Sequence, residues 1–161
     1  MNASVTFEIH GKPFAKQRPK FARRGKFVSA YTPKATVSFE QTVQAIGIQH
    51  FPEPLEGPVS LSVVAIFKPA KSWSQKRRAE ALGQWHTQKP DYDNIEKAVC
   101  DGLNRVAYSD DSQIASATCL KVWGETEKTI VTVAPLQPRA HSIATTPLFG
   151  KEASDGPRAA K

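Results

Sequence analysis

The middle of the chain gathers side chains suited to binding a cation and hydrolysing a phosphate ester. Asp91, Asp93, Glu96, Asp101, Asp110 and Asp111 fall within 21 residues, with only Lys97 and Arg105 of opposite sign among them. Carboxylates brought together repel one another unless a cation sits between them. Cys100 and Cys119 stand alone with no CxxC pairing, and His10, His50, His86 and His141 are scattered. A thiolate or imidazole centre is therefore disfavoured, and oxygen donors select a hard ion, Mg²⁺ or Mn²⁺. Such an ion activates water and polarises a phosphodiester, while Lys97 stabilises transition-state charge or positions the water.

Local order must position these groups. Pro90 pushes Lys89 towards an extended chain, and extended residues Asp91 and Asp93 point to one side. A helix is expected from about Asp93 to Arg105, with Asp93 as its cap and Lys97 reaching back one turn to Asp93. Asp101 and Asn104 continue the polar face, while Ile95, Val99, Leu103 and Val106 point to the core. A loop at Asp110-Asp111 is expected to fold one of these carboxylates back towards Asp91 and Asp93. Taken singly, these features are an N-cap, a polar turn and a helix pair worth a few tenths of a kcal/mol. Such readings leave Asp91 and the local reversal of charge without a cause.

The chain as a whole is nevertheless basic, with 22 Lys and Arg against 15 Asp and Glu and a net charge of +7. Lys12, Lys16, Arg18, Lys20, Arg23, Arg24 and Lys26 form a run without any acid, interleaved with Phe14, Phe21 and Phe27 and punctuated by Pro13 and Pro19. A second group, Lys68, Lys71, Lys76, Arg77, Arg78 and Lys89, is opposed only by Glu80. Two basic segments before one acidic knot point to a polyanion, nucleic acid above all, although basic runs also serve as solvated faces.

The elements that carry these groups read as a mixed α/β layer protein, one β-sheet with helices packed on it. Val5, Phe7 and Ile9 alternate as a strand, Gly11 to Gly25 reads as a basic loop, and Phe27-Val28 opens a short strand. Thr32 and Pro33 start a helix, with Thr32 as cap and Val37, Val43, Ile46 and Ile48 facing a sheet. Residues 59–68 form the clearest strand, and Ser72 to Leu82 a short basic helix. Ile114 to Trp123 and Thr129 to Val133 are expected to form a hairpin around Gly124. One domain over residues 1–136 follows, with 137–161 a disordered tail rich in Pro, Ala, Ser and Gly. No apolar stretch reaches the length of a membrane span, and the N-terminus lacks a signal layout, so a cytoplasmic protein with no membrane partner is expected.

Lys89-Pro90-Asp91-Tyr92-Asp93-Asn94-Ile95-Glu96-Lys97, Asp101-Gly102-Leu103-Asn104 and Tyr108-Ser109-Asp110-Asp111-Ser112-Gln113-Ile114 together resemble the RusA family of Holliday junction resolvases. Gly11 to Pro19 and Trp73 to Arg78 resemble that family's basic segments, so the likeness runs from about residue 7 to 133. One departure is Arg105, where the family pattern has Gly after Leu-Asn. The resemblance implies a bacterial or phage-encoded crossover junction endonuclease, a homodimer that makes paired symmetric nicks in four-way DNA with Mg²⁺. It places Asp91, Asp93 and one of Asp110 and Asp111, preferably Asp111, as metal-binding carboxylates, and Lys97 as the functional lysine. Lys16, Arg18, Lys20, Arg23, Arg24, Lys76, Arg77 and Arg78 would then hold phosphates, and one of the three phenylalanines would wedge at the branch point. The alternative is a branched-DNA-binding protein without activity. A nuclease of the Asp/Glu-x-Lys type is disfavoured, since no lysine has an acid two residues before it.

Overall fold

The computed structural model describes residues 4–137. The expected tail, apart from Gln137, lies outside the described residues. Strand β4, Val59–Phe67, buries every second side chain: Val59, Leu61, Val63, Ala65 and Phe67. With so much apolar surface on one side it takes a central place, between β5 (Ile114–Trp123) and β6 (Lys128–Pro135), and β1 (Val5–His10) closes the far edge. The order β1-β6-β4-β5 is mixed, with β4 parallel to β5 and the other pairs antiparallel. Phe7, Val131, Val63 and Cys119 lie in one register row across the sheet. This corrects the expected hairpin: β5 and β6 follow one another in sequence, but β4 lies between them. Parallel pairing requires a long crossover, and the segment from Lys68 to Gln113 provides it, carrying helices α2 (Gln75–Ala81) and α3 (Tyr92–Leu103).

Helix α1, Lys34–His50, packs on β1 and α3, and α3 packs on β4 and β5. Ile95, Ala98, Val99 and Leu103 form the buried stripe of α3, as the apolar spacing predicts. The crossing of α1 and α3 is close: a Cβ on Gly102 would lie 2.7 Å from Val43 Cβ and 3.1 Å from the Glu40 carbonyl oxygen. Helix α1 starts one residue later than expected. Pro33 holds the N-cap position without a side-chain bond, so Thr32 is not the cap. Val43 is buried and Ile46 is partly buried against the core, whereas Val37 and Ile48 face solvent, because α1 covers the sheet with a narrower stripe than its apolar count suggests.

The basic loop is more ordered than its sequence suggested. Lys20–Arg24 and Phe27–Tyr31 pair as an antiparallel ribbon, β2 and β3, turned at Gly25 in a left-handed conformation (φ 62°). The ribbon stands apart from the sheet, and Phe21, Phe27, Val28 and Tyr31 on it are exposed. No helix among the described residues is long and apolar enough to cross a membrane.

Candidate active site

Helix α3 begins at Tyr92, so Asp91, not Asp93, occupies its N-cap position and Asp93 lies in the first turn. The backbone of Asp91 is extended (ψ 144°), yet its carboxylate makes no capping bond. It lines a cleft of about 540 Å³ with Lys16, Arg18, Lys89 and Asn94, and Lys89 Nζ is 3.9 Å from its Oδ2. Asp93 is exposed and accepts a hydrogen bond from Asn94 Nδ2 at 3.2 Å. Lys97 does not reach back to Asp93. Its ammonium stands 4.0 Å from Asp101, one turn further along.

The far end of α3 holds a second acidic group. Cys100 Sγ and carboxylate oxygens of Asp101 and Asp111 lie within 4.8 Å of one another, and neither Asp91 nor Asp93 belongs to that group. Eight residues of helix separate Asp93 from Asp101, about 12 Å at 1.5 Å per residue. The expected folding of Asp111 towards Asp91 and Asp93 is thus corrected: the loop carries it to Asp101. Asp101 is already engaged, since Lys16 Nζ donates to its Oδ2 and to Glu40 Oε1 (3.0 Å for the latter). Burial opposes the charge of Lys16, and the bonds to Asp101 and Glu40 outweigh it, so its pKa lies above the ordinary lysine value. The Cys100 thiol is pushed up, first by burial, and stays protonated at neutral pH. A protonated soft donor and an occupied carboxylate do not suit a hard ion. The oxygen-only pair Asp91 and Asp93, both exposed, fits one better.

Asp110 and Asp111 sit in a loop held by one amide. Gln113 Oε1 accepts from the backbone N–H groups of Ser109 (2.8 Å) and Asp110 (3.1 Å). Its Nε2 donates to the carbonyls of Leu55 (3.0 Å) and Gly57 (2.8 Å). Asp110 in turn accepts from Ser112 N–H at 2.9 Å, and Ser112, through its side chain first and this N–H second, holds the carboxyl below the ordinary value. Asp110 is therefore the cap of a 3₁₀ turn, Asp111–Gln113, which leaves Asp111 as the freer carboxylate. The spacing Asp-x-x-Gln is a capping-box signature and was readable in the sequence. Further back, Arg105 takes φ 65°, the left-handed conformation for which glycine is the usual residue.

The basic residues divide. Lys20, Arg23 and Arg24 belong to the ribbon strand β2, and Arg23 Nε donates to Gly25 O at 3.2 Å. Arg18 lines the Asp91 cleft, as does Lys16, whose ammonium is held by acids. Lys76 is exposed 4.0 Å from Glu80, and Arg77 stacks over Trp73 at 3.8 Å. Arg78 lines a separate cleft with Lys68 and Glu125. Two lysines acquire positional roles that their sequence context did not disclose. Lys121 Nζ donates to the carbonyls of Gln88 and Pro90, both at 2.6 Å, and so fixes the chain entering α3. Lys16 N–H donates to Asn94 O at 2.8 Å, which ties the basic segment to the same helix.

A Bacillus subtilis (strain 168) protein described as "Uncharacterized protein YqaN" is 35% identical over 127 residues, covering 75% of this chain and 89% of that protein. The family model described as "Endodeoxyribonuclease RusA" matches residues 10–134, from the end of β1 to the end of β6. The match takes in the Asp91 cleft, the Gln113 loop and the basic ribbon together, and the chain belongs to the RusA endodeoxyribonuclease family.

Proposed function

We propose that the protein is a Mg²⁺-dependent endonuclease, with Mn²⁺ as a substitute, that resolves four-way DNA junctions by paired nicks. The observation that carries this reading is the pair Asp91 and Asp93 at the start of α3, free of capping duty and beside a cleft lined by Lys16, Arg18 and Lys89. One or two carboxylates with substrate phosphate oxygens are a usual Mg²⁺ environment. Asp91 and Asp93 would hold the ion, which when bound supplies an activated water and charge on the phosphoryl oxygens. Lys89 and Arg18 bind and orient the phosphodiester beside them, and Lys97, exposed on α3 between Asp93 and Asp101, leaves its resting place near Asp101 to stabilise negative charge developing on the phosphate. The exposed aromatic and basic ribbon of β2 and β3 suits a DNA groove, since a two-stranded ribbon fits the major groove, and Phe21 and Phe27 at its surface suit unstacked bases at a branch point.

Asp111 enters this reading in trans. Asp111 lies beside Asp101, itself about 12 Å along α3 from Asp93, so within one chain it is not placed to share an ion whose ligands lie at about 2.1 Å. In a homodimer with one site per protomer, Asp111 contributes to the site built on its partner's Asp91 and Asp93, and two-fold symmetry supplies the paired cuts. Mixed dimers of Asp91→Asn and Asp111→Asn chains test this. In trans, one of the two sites is whole and single nicks appear, although each homodimer is inactive. If the mixture is as inactive as its parents, Asp111 acts within its own chain.

A further inference from the structure

We propose that the cleft walled by His86, Lys12, Lys68, Lys71 and Lys89 is a phosphodiester-binding subsite for the DNA strand beside the bond to be cut. This rests on the nuclease reading and names a part of the substrate contact that the basic runs alone did not. The cleft measures about 350 Å³, and Glu127 is the one acid among its lining residues. Lys89 lines both this cleft and the Asp91 cleft, so the two are neighbours. Lys68 and Pro69 join it on another side to the cleft of about 360 Å³ that contains Arg78. A basic trough thus leads through this cleft to the acidic site.

The cleft is built on rigid parts. His86 is only 5% exposed, with its ring between Phe67 (centroids 4.0 Å apart) and Trp123 (4.2 Å). Its backbone is fixed by the bond from His86 N–H to Lys121 O at 2.9 Å. His86 Nδ1 has no hydrogen-bond partner among the described residues, and a buried polar atom without one is destabilising. Burial first, then the charges of Lys121 and Lys12, hold the imidazole below its ordinary pKa, and so neutral. An anion seated among the lysines reverses that balance. It neutralises the charges facing the ring and lets the imidazole take up a proton, which couples phosphate binding to pH. The charges acting on the ring are those of Lys121 and Lys12, and the other charged residues lining the cleft are Lys68, Lys71, Lys89 and the single acid Glu127.

The test is binding of a fluorescent four-way junction in Ca²⁺, across salt concentration and at pH 6 and pH 8. Each phosphate contact contributes a slope of about −0.9 in log K against log salt. Lys12→Ala/Lys71→Ala is expected to reduce the slope by about 1.8, whereas Lys34→Ala, on exposed α1, leaves it nearly unchanged. Wild-type affinity, corrected with His86→Phe, which keeps the aromatic stack, is expected to gain about three- to tenfold from pH 8 to pH 6. An unchanged slope in the double variant overturns the subsite, whatever the cleavage activity. A parallel NMR titration of the His86 ring with inorganic phosphate and dTMP separates the sources. Shifts from these at millimolar concentration, with none from junction DNA, overturn the assignment to a DNA strand. Junction binding without cleavage defeats the nuclease reading and leaves the slope to decide the cleft.

Discussion

Replacing Gln113 with alanine removes four hydrogen bonds from the loop that holds Asp110 and Asp111. At about 0.5–1.5 kcal/mol net for each, the sum spans about 2–6 kcal/mol. Water can replace part of the lost partners at this surface, since Ser109, Asp110 and Gly57 are exposed, so the lower end applies, about 2–3 kcal/mol. For a chain of this size that is a fall of about 5–10 °C in Tm, read in urea as a lower midpoint with an unchanged m-value. Gln113→Glu is the sharper variant. Its carboxylate still accepts from Ser109 and Asp110, but it faces the carbonyls of Leu55 and Gly57 without a proton to donate. It is expected to be at least as unstable as the alanine variant at pH 7 and to recover part of the loss at pH 4, where a protonated acid can donate. Junction cleavage is expected to fall further than the folded fraction alone accounts for, because Asp111 loses its position. A loss below about 0.5 kcal/mol in the alanine variant refutes the view that this amide sets the loop.

Gly102→Ala places a methyl group 2.7 Å from Val43 Cβ, and overpacking of about 1–3 kcal/mol exceeds the helix-propensity gain of about 1; urea titration should show a net loss that Val43→Ala, which keeps the Cβ, does not remove. Arg105→Gly removes a left-handed non-glycine residue and is expected to raise stability by up to about 1 kcal/mol, seen as a higher urea midpoint. Because the pKa of folded His86 is depressed, the unfolded chain binds more protons just below pH 6.5. Stability is therefore expected to fall as pH drops from about 6.5 to the folded pKa, and His86→Phe should flatten that dependence in urea midpoints between pH 7.5 and pH 5.

The features legible in the sequence were those set by local pattern. Alternation announced β1 and β4, and the apolar stripe of Ile95, Val99 and Leu103 gave α3 its buried side. Strand partners are set by competition for the centre of the sheet, which is a non-local matter, and the β5–β6 hairpin expectation failed for that reason. The same limit applies to the acidic residues. Their types and spacing pointed to a cation site, but the reach of the loop after α3 decides that Asp111 meets Asp101. Lys16 read as a phosphate contact from its neighbours in sequence, whereas its acidic partners Glu40 and Asp101 come from two helices far along the chain. Gly102 in the Asp101-Gly102-Leu103-Asn104 motif has a reason that only packing discloses, the close approach of α1.

The most direct test is cleavage of a labelled, mobile four-way junction beside a linear duplex of the same sequence, in Mg²⁺, in EDTA and with Asp93→Asn. Paired symmetric nicks in the junction alone, dependent on metal and absent from a variant that still binds, are the predicted result. Tight junction binding with no cleavage in either Mg²⁺ or Mn²⁺ would contradict the account and leave a branched-DNA-binding protein whose acidic residues serve the fold.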